Sequence, residues 1–235
     1  ENEQSEIRFF VERDGVWHLR PGSPVFPLQD PFVSRIGGEL VFGGVEVYPD
    51  TGRPGRVRWR TQFYRGSCID DLRHFATGPE GMKDIRLVQL ADGSVGVFTR
   101  PQGNPGGRGT IGFLRIGALE ALDEAAIGRA KLLTEQFIPE EWGGANELHL
   151  LSNGLVGVLG HIARYGPGGV KQYYSMVFAF DPEREVASPI EIIAVRENFP
   201  PGEAKTQRLV DVLFSGGLVR NGDGTAVLYV GVSDA

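Results

Sequence analysis

Four carboxylates recur along the 235-residue chain, each next to the start of an apolar run: Asp30, Asp84, Glu147 and Asp211. If folding gathers them around one cavity, they repel one another. That repulsion separates their proton affinities into a proton donor and a base. Cleavage of a glycosidic bond needs such a division: one carboxylic acid protonates the leaving oxygen while another group activates the attacking one. The bland reading of each acid is a turn cap or a partner for a nearby arginine, so the elements that position them decide the matter.

Those elements repeat. Asp30-Pro31-Phe32 leads into VSRIGGELVFGGVEVY, Asp84 into IRLVQLADGSVGVFTR, Glu147 into LHLLSNGLVGVLGHI and Asp211 into VLFSGGLVRNGDGTAVLYVGV. In each unit a strand runs to a glycine-containing turn (Gly37-Gly38, Asp92-Gly93, Asn153-Gly154, or Asn221 to Gly224) and a second apolar strand returns. Such turns supply the positive φ a tight hairpin needs. Units spaced roughly 55 to 65 residues apart read as propeller blades. In a propeller the innermost strand of every blade begins near one mouth of the central channel, which is where the four acids would converge.

The rest of the chain fits this plan. Residues 7 to 20 read as two short strands around Asp14-Gly15, half a blade. PGSPVFPLQDP carries too many prolines for a paired central strand and reads as a surface connection delivering Asp30. Gly43-Gly44 inside a strand marks a bulge or a close approach. RVRWRTQFYRG alternates with a period of two. One helix is expected, over Ala118 to Leu133, with Leu119, Leu122, Ala126, Ala130 and Leu133 on a shared face. Residues 1–235 read as a single all-β domain, since chains of this size and class usually form one core.

Composition excludes several classes. The net charge is −6 and no basic run occurs, so the footprint of a nucleic-acid binder is missing. No apolar run has the length of a membrane span, and the polar start ENEQSE is no signal peptide. Cys68 is the single cysteine, which rules out an internal disulfide, and no glycosylation sequon is present; a reducing compartment, the cytoplasm, is the expectation. The loop Gly103 to Thr110 is not a phosphate loop of the Walker type, because Arg108-Gly109-Thr110 opens a strand and not a helix. It reads as a surface loop at the mouth of a cavity. Glu147, His149 and His161 lack the compact spacing of a metal site, so neither metal nor cofactor is expected. Trp59 and Trp142 could stack on a sugar ring, although core packing is the commoner fate of a tryptophan in a β protein.

The runs QDPFVSRIGGELVFGGVEVY, GPEGMKDIRLVQLADGSVGVFTRPQG, GGANELHLLSNGLVGVLGHIA and DVLFSGGLVRNGDGTAVLYVGVSDA resemble domain-of-unknown-function family 1861 over essentially the whole chain. More distantly the chain is similar to the five-bladed propellers of glycoside hydrolase family 130, β-mannoside phosphorylases and mannosidases, and to the wider fructosidase and arabinanase clan. The resemblance implies a five-bladed propeller with one blade partly missing from this chain. It implies Asp30 as the proton donor, from an Asp-Pro-Arg motif in which Phe32 here replaces the arginine. It also implies Lys83 as a phosphate ligand, His161 as a looser match to a Tyr-His-Gly histidine, and Asp234 as the terminal acid of a Tyr-Tyr-Gly-Ala-Ala-Asp motif.

The expected function is cleavage of a β-linked, mannoside-type glycoside by hydrolysis or phosphorolysis. Asp30 is then the acid and Glu147 or Asp211 the base or water-positioning group. Asp84, Lys83, Arg86, Arg100, Asn146, His161 and Asp234 are the expected contacts to substrate, and the partners are a carbohydrate and, for phosphorolysis, inorganic phosphate. A binding propeller without catalysis, favoured by Phe32, and a scaffold for protein partners are the alternatives.

Overall fold

A computed structural model describes residues 5–235; the first four residues of the polar start lie outside them. β1 (Phe10–Arg13) and β2 (Val16–Leu19) form a hairpin around Asp14-Gly15. β3 (Gln29–Ile36), β4 (Glu39–Pro49), β5 (Val57–Gly66) and β6 (Arg73–Thr77) make an antiparallel meander. A second consists of β7 (Arg86–Gln89), β8 (Val95–Thr99), β9 (Gly112–Ile116) and β10 (Lys131–Leu132). The third begins with β11 (Trp142–Leu150), β12 (Val156–Tyr165) and β13 (Lys171–Asp181), and the short strands β14 (Val186–Ala187) and β15 (Glu191–Ala194) both pair with β13. β16 (Asp211–Arg220) and β17 (Ala226–Val232) close the chain as a hairpin, attached to the third sheet where β16 runs parallel to β13 at Gln172 and Tyr173. Among the described residues no sheet closes on itself.

The alternation of apolar residues along the strands explains why the sheets stack. Leu87 of β7 enters the layer between the first and second meanders with Phe63, Ile85 and Val97, whereas Val88 enters the layer between the second and third with Phe98, Phe113 and Phe180. Burying a side chain of this size contributes about 1.5–3 kcal/mol. Close stacking also requires absent side chains. A Cβ on Gly43 would lie 2.3 Å from the Phe32 ring and 2.6 Å from the Gln62 carbonyl. Against this packing the first strands of the units come together: β3 and β11 both lie beside β7, β11 also touches β3, and β16 lies beside β11. Their starts form one polar end.

Two expectations change. The stretch Ala118 to Leu133 is not one helix: a 3-10 turn covers Leu119–Ala121, α1 covers only Glu124–Ile127, and β10 follows. Asp123 starts a new helix by accepting from the Ala126 amide at 2.6 Å, and Gly128 caps its end. Four of the five expected apolar positions, Leu119, Leu122, Ala126 and Leu133, are nonetheless buried, together with Ile127, while Ala130 is half-buried. In the third unit the first strand begins at Trp142, so Glu147 lies within β11, just past a bulge at Ala145/Glu147, and not ahead of the strand.

Candidate functional site

The site is built where β3 and β7 begin. Asp30, the second residue of β3, and Asp84, two residues ahead of β7, both hold left-handed backbone, with φ of 48° and 57°. Few residues other than glycine adopt this conformation, Asp and Asn most readily among them. Backbone held this way costs on the order of 1–3 kcal/mol and concentrates at functional sites.

Asp84 is fully buried, with Arg100 Nη1 at 3.0 Å and Arg86 Nη2 at 3.9 Å. Burial pushes its carboxyl pKa up, but the neighbouring cations, Arg100 first and then Lys83 and Arg86, outweigh burial and bring it to about 2. Asp84 is therefore a fixed anion that holds cations in place. Arg100 also donates from Nε to the Gly143 carbonyl at 3.0 Å, tying the second sheet to β11. This contact explains Gly144: a Cβ there would lie 2.8 Å from Arg100 Cδ and 3.1 Å from Asp84 Oδ2.

Lys83 Nζ lies 3.4 Å from Asp30 Oδ2, and both side chains retain solvent contact. Burial disfavours the ammonium, yet Asp84 and Asp30 outweigh it and raise the Lys83 pKa, so Lys83 stays charged. His161 Nδ1 lies 2.9 Å from Asn146 Oδ1, and an amide oxygen only accepts, so the imidazole carries its proton on Nδ1. Burial drives its pKa down to about 3, and the ring stacks on Tyr173 at 5.5 Å and 16°. His161 is thus a neutral support for Tyr173, not a cation.

Two cavities open at this end and share Lys83, Lys171 and Tyr173. The inner one, about 380 Å³, is lined by Asp30 and Asp234. The outer one, about 570 Å³, is lined by Arg100, Arg108, Trp59, Trp142 and Tyr165 among others. Asp234 also has positive φ, 55°, and pairs with Lys205 at 3.5 Å.

Of the residues singled out by sequence, Asp30, Lys83, Arg100 and Asp234 line these cavities. Asp84, Arg86, Asn146 and His161 form the buried layer beneath. Arg86 donates to the Asn146 carbonyl at 2.7 Å and lies 4.7 Å above the Phe32 ring. Phe32, standing where the family 130 motif has arginine, packs on Phe63 in the core. Glu147 and Asp211 are not brought to Asp30. Glu147 accepts from the Leu218 amide and faces a separate apolar groove, and Asp211 accepts from Gln172 Nε2 at 3.0 Å and Tyr174 Oη at 2.9 Å. The sequence reading missed Lys171, Tyr173 and Tyr165. Their signal was the alternation across the β12–β13 turn, RYGPGGVKQYY, which puts aromatic and cationic residues at one end of a hairpin. Among the described residues no group of three His, Cys, Asp or Glu could hold a metal ion, and no helix is long and apolar enough to cross a membrane.

Stacked antiparallel meanders with a polar, aromatic-walled cleft at the starts of their inner strands define an all-β protein of the propeller-like class. Residues 1–235 match the family described as "Protein of unknown function (DUF1861)", and the chain belongs to that family. It is similar to a mannose phosphorylase from Leishmania mexicana whose structure is in complex with phosphate ion: 37% identity, TM-score 0.89, covering 99% of this chain and 72% of that one. It is also similar to a GDP-Man-dependent mannosyltransferase from Leishmania mexicana, at 34% identity and TM-score 0.88, covering 100% of this chain and 74% of that one. An endo-arabinase from Bacteroides thetaiotaomicron shares the fold at 12% identity and TM-score 0.55, covering 87% of this chain and 70% of that one. No curated protein matches the chain. The two mannose-processing neighbours support a carbohydrate-active role.

Proposed function

We propose that this protein, a five-bladed propeller with one blade partly missing from this chain, is a glycoside phosphorylase acting on a β-linked mannoside. The observation that carries the reading is the pairing of Asp30 with Lys83 at 3.4 Å in a cleft that also presents Arg100, Lys171 and Arg108. A phosphorylase must hold an anionic nucleophile beside a carboxyl group, and cations giving charge-assisted hydrogen bonds offset the repulsion. In the proposed step a phosphate oxygen attacks the anomeric carbon. The bond from that carbon to the leaving oxygen breaks, and the Asp30 proton passes to the leaving oxygen. Lys83, Arg100 and Lys171 hold phosphate, and Asp84 positions the first two. The similarity to a phosphate-bound mannose phosphorylase supports the assignment. The single cysteine suits a cytoplasmic setting.

Hydrolysis is the second reading, favoured by the presence of Asp234 on the same cavity as Asp30. Two carboxylates flanking a water are the arrangement of an inverting hydrolase. Incubating the protein with β-linked manno-oligosaccharides, with and without inorganic phosphate, separates the two. Mannose 1-phosphate formed only in the presence of phosphate is the expected result. Free mannose released equally in both would replace phosphorolysis by hydrolysis, and binding without product would leave a sugar-binding propeller.

A further inference from the structure

We propose that the loop from β15 to β16, residues 195–210, is a strap that sets the position of the Asp234 carboxylate in the inner cavity, with Arg196 and Ser233 as positioning residues. The inference rests on the reading of the cleft as a mannoside-cleaving site and deepens it: Asp234 receives hydroxyls of the reacting sugar, and the strap fixes where. The first observation is the backbone. Ser233 and Asp234 are consecutive left-handed residues, with φ of 58° and 55°, and neither is glycine. Two such residues in succession persist only where the surrounding structure holds them. The pair turns the chain after β17 and brings Asp234 onto the cavity that Asp30 lines. Asp30 and Asp84 reach the same end of the molecule through the same backbone conformation.

The second observation is how completely Ser233 is gripped. It is 1% exposed, and each of its polar groups has a partner. Its amide donates to the Val212 carbonyl at 2.8 Å and its carbonyl accepts from the Lys205 amide at 3.2 Å. Its hydroxyl accepts from Arg196 Nε at 2.8 Å and donates to the Val210 carbonyl at 3.4 Å. Three of these partners, Arg196, Lys205 and Val210, belong to the strap. Arg196 Nη1 also donates to the Phe199 and Pro200 carbonyls at 3.3 and 3.0 Å, so one guanidinium folds the strap and holds the serine at once. Lys205 Nζ, 3.5 Å from Asp234 Oδ2, adds a second hold on the acid itself.

The third observation is what Asp234 keeps for a ligand. Its side chain is 56% exposed, and it lines the inner cavity and not the outer one. A carboxylate has about four acceptor positions, and an ammonium beside one oxygen leaves the others for neutral hydroxyl donors. A phosphate on the same spot would be repelled. The acid Asp30 must stand beside the leaving oxygen, so the reacting ring occupies this cavity and its hydroxyls are the donors within reach. A carboxylate on a chain end recognises them only if its backbone is held, which is what Arg196 does through Ser233.

The test is a double-variant cycle in steady-state kinetics with a β-linked mannobiose and inorganic phosphate, on the wild type, Arg196→Met, Asp234→Asn and the two combined. Thermal melting verifies that each is folded. Ser233→Gly, which removes the hydroxyl yet suits the left-handed backbone, makes the same test should Arg196→Met not fold. Arg196→Met should raise KM for mannobiose about tenfold, leave KM for phosphate unchanged and add nothing in the Asp234→Asn background. The same loss in both backgrounds, an equal rise in KM for phosphate, or no change in the folded variants overturns the proposal. Calorimetric titration with mannobiose runs the same cycle on binding alone. If no phosphorolysis is detected but binding shows the loss in Arg196→Met and its absence beside Asp234→Asn, the proposed reaction fails while the strap stands.

Discussion

Asp84 and Asp211 occupy equivalent places in two repeats, at the starts of β7 and β16, yet they are satisfied in opposite ways. Asp84 takes a left-handed backbone turn, is fully buried and is met by cations, Arg100 at 3.0 Å and Arg86 at 3.9 Å. Asp211 lacks that turn and is met by neutral donors, Gln172 and Tyr174. Burial, with the Asp211 hydrogen bond added, pushes the Tyr174 hydroxyl up to about 12, so it stays a donor. Glu147 is likewise occupied by the Leu218 amide. The first arrangement stores positive charge beside a cleft, and the second fastens β16 to β13. Carboxylates repeated at one place in a fold thus meet different surroundings: only Asp30, beside the charged Lys83 and partly open to solvent, faces a cleft as the proposed acid must.

The largest effect that could break this comparison is catalytic. Asp30→Asn should lower turnover by about 10²–10⁴-fold while sugar binding persists, since removing a general acid costs that much; Asp211→Asn should stay within a few fold of wild type. Equal losses in steady-state kinetics would mean the two acids are not divided as described. Next comes the buried pair. Arg100→Met removes the nearest cation from the buried Asp84 and leaves Arg86 at 3.9 Å and Lys83 to balance it, with an expected loss of about 3 kcal/mol in urea denaturation, and adding Asp84→Asn should restore part of it. Additive losses in the double variant would show that the two side chains do not act as a pair.

Acid sensitivity sharpens the same contrast. His161 has a folded pKa of about 3 against 6.5 ordinarily, so below pH 6.5 the unfolded chain binds the extra proton. Its contribution is complete above pH 6.5 and is lost as pH falls toward 3. Asp84, at about 2 against 3.8, contributes fully above pH 3.8 and loses its share as pH falls toward 2. The urea midpoint should therefore begin to fall below pH 6.5, and His161→Gln should flatten the upper part of that decline; a wild-type midpoint constant down to pH 4.5 would contradict the neutral buried imidazole. The smallest effect belongs to the fastening end: Tyr174→Phe should cost about 1 kcal/mol in the same denaturation measurement and leave turnover unchanged. A large kinetic defect there would return Asp211 to the chemistry.

Much of the fold was legible because strand patterning is local. The period of two in RVRWRTQFYRG and the glycine turns at Asp92-Gly93, Asn153-Gly154 and Asn221 to Gly224 each act over a few residues, and β5, β7–β8, β11–β12 and β16–β17 form where they indicate. The apolar spacing of Ala118 to Leu133 misled about its length, since the same spacing suits residues that point inward from successive turns broken by the Asp123 cap. At the cleft, Asp30 and Lys83 were legible as an acid and a cation. Tyr165, Lys171 and Tyr173 were not, because nothing about a hairpin end in isolation says which other sheet it will face.

By itself the sequence determined the strand repeats, the turns between them and the supply of acids and cations at strand starts, because these depend on side-chain type and on contacts within one hairpin. Only the tertiary structure decided which acid meets which partner. Lys83 reaches Asp30 across 53 residues, Arg86 reaches the Asn146 carbonyl across 60, and Glu147 meets Leu218 across 71. The strength of a charge depends on its burial and on the charges packed around it, and those are set by how the sheets stack, after each strand has already formed.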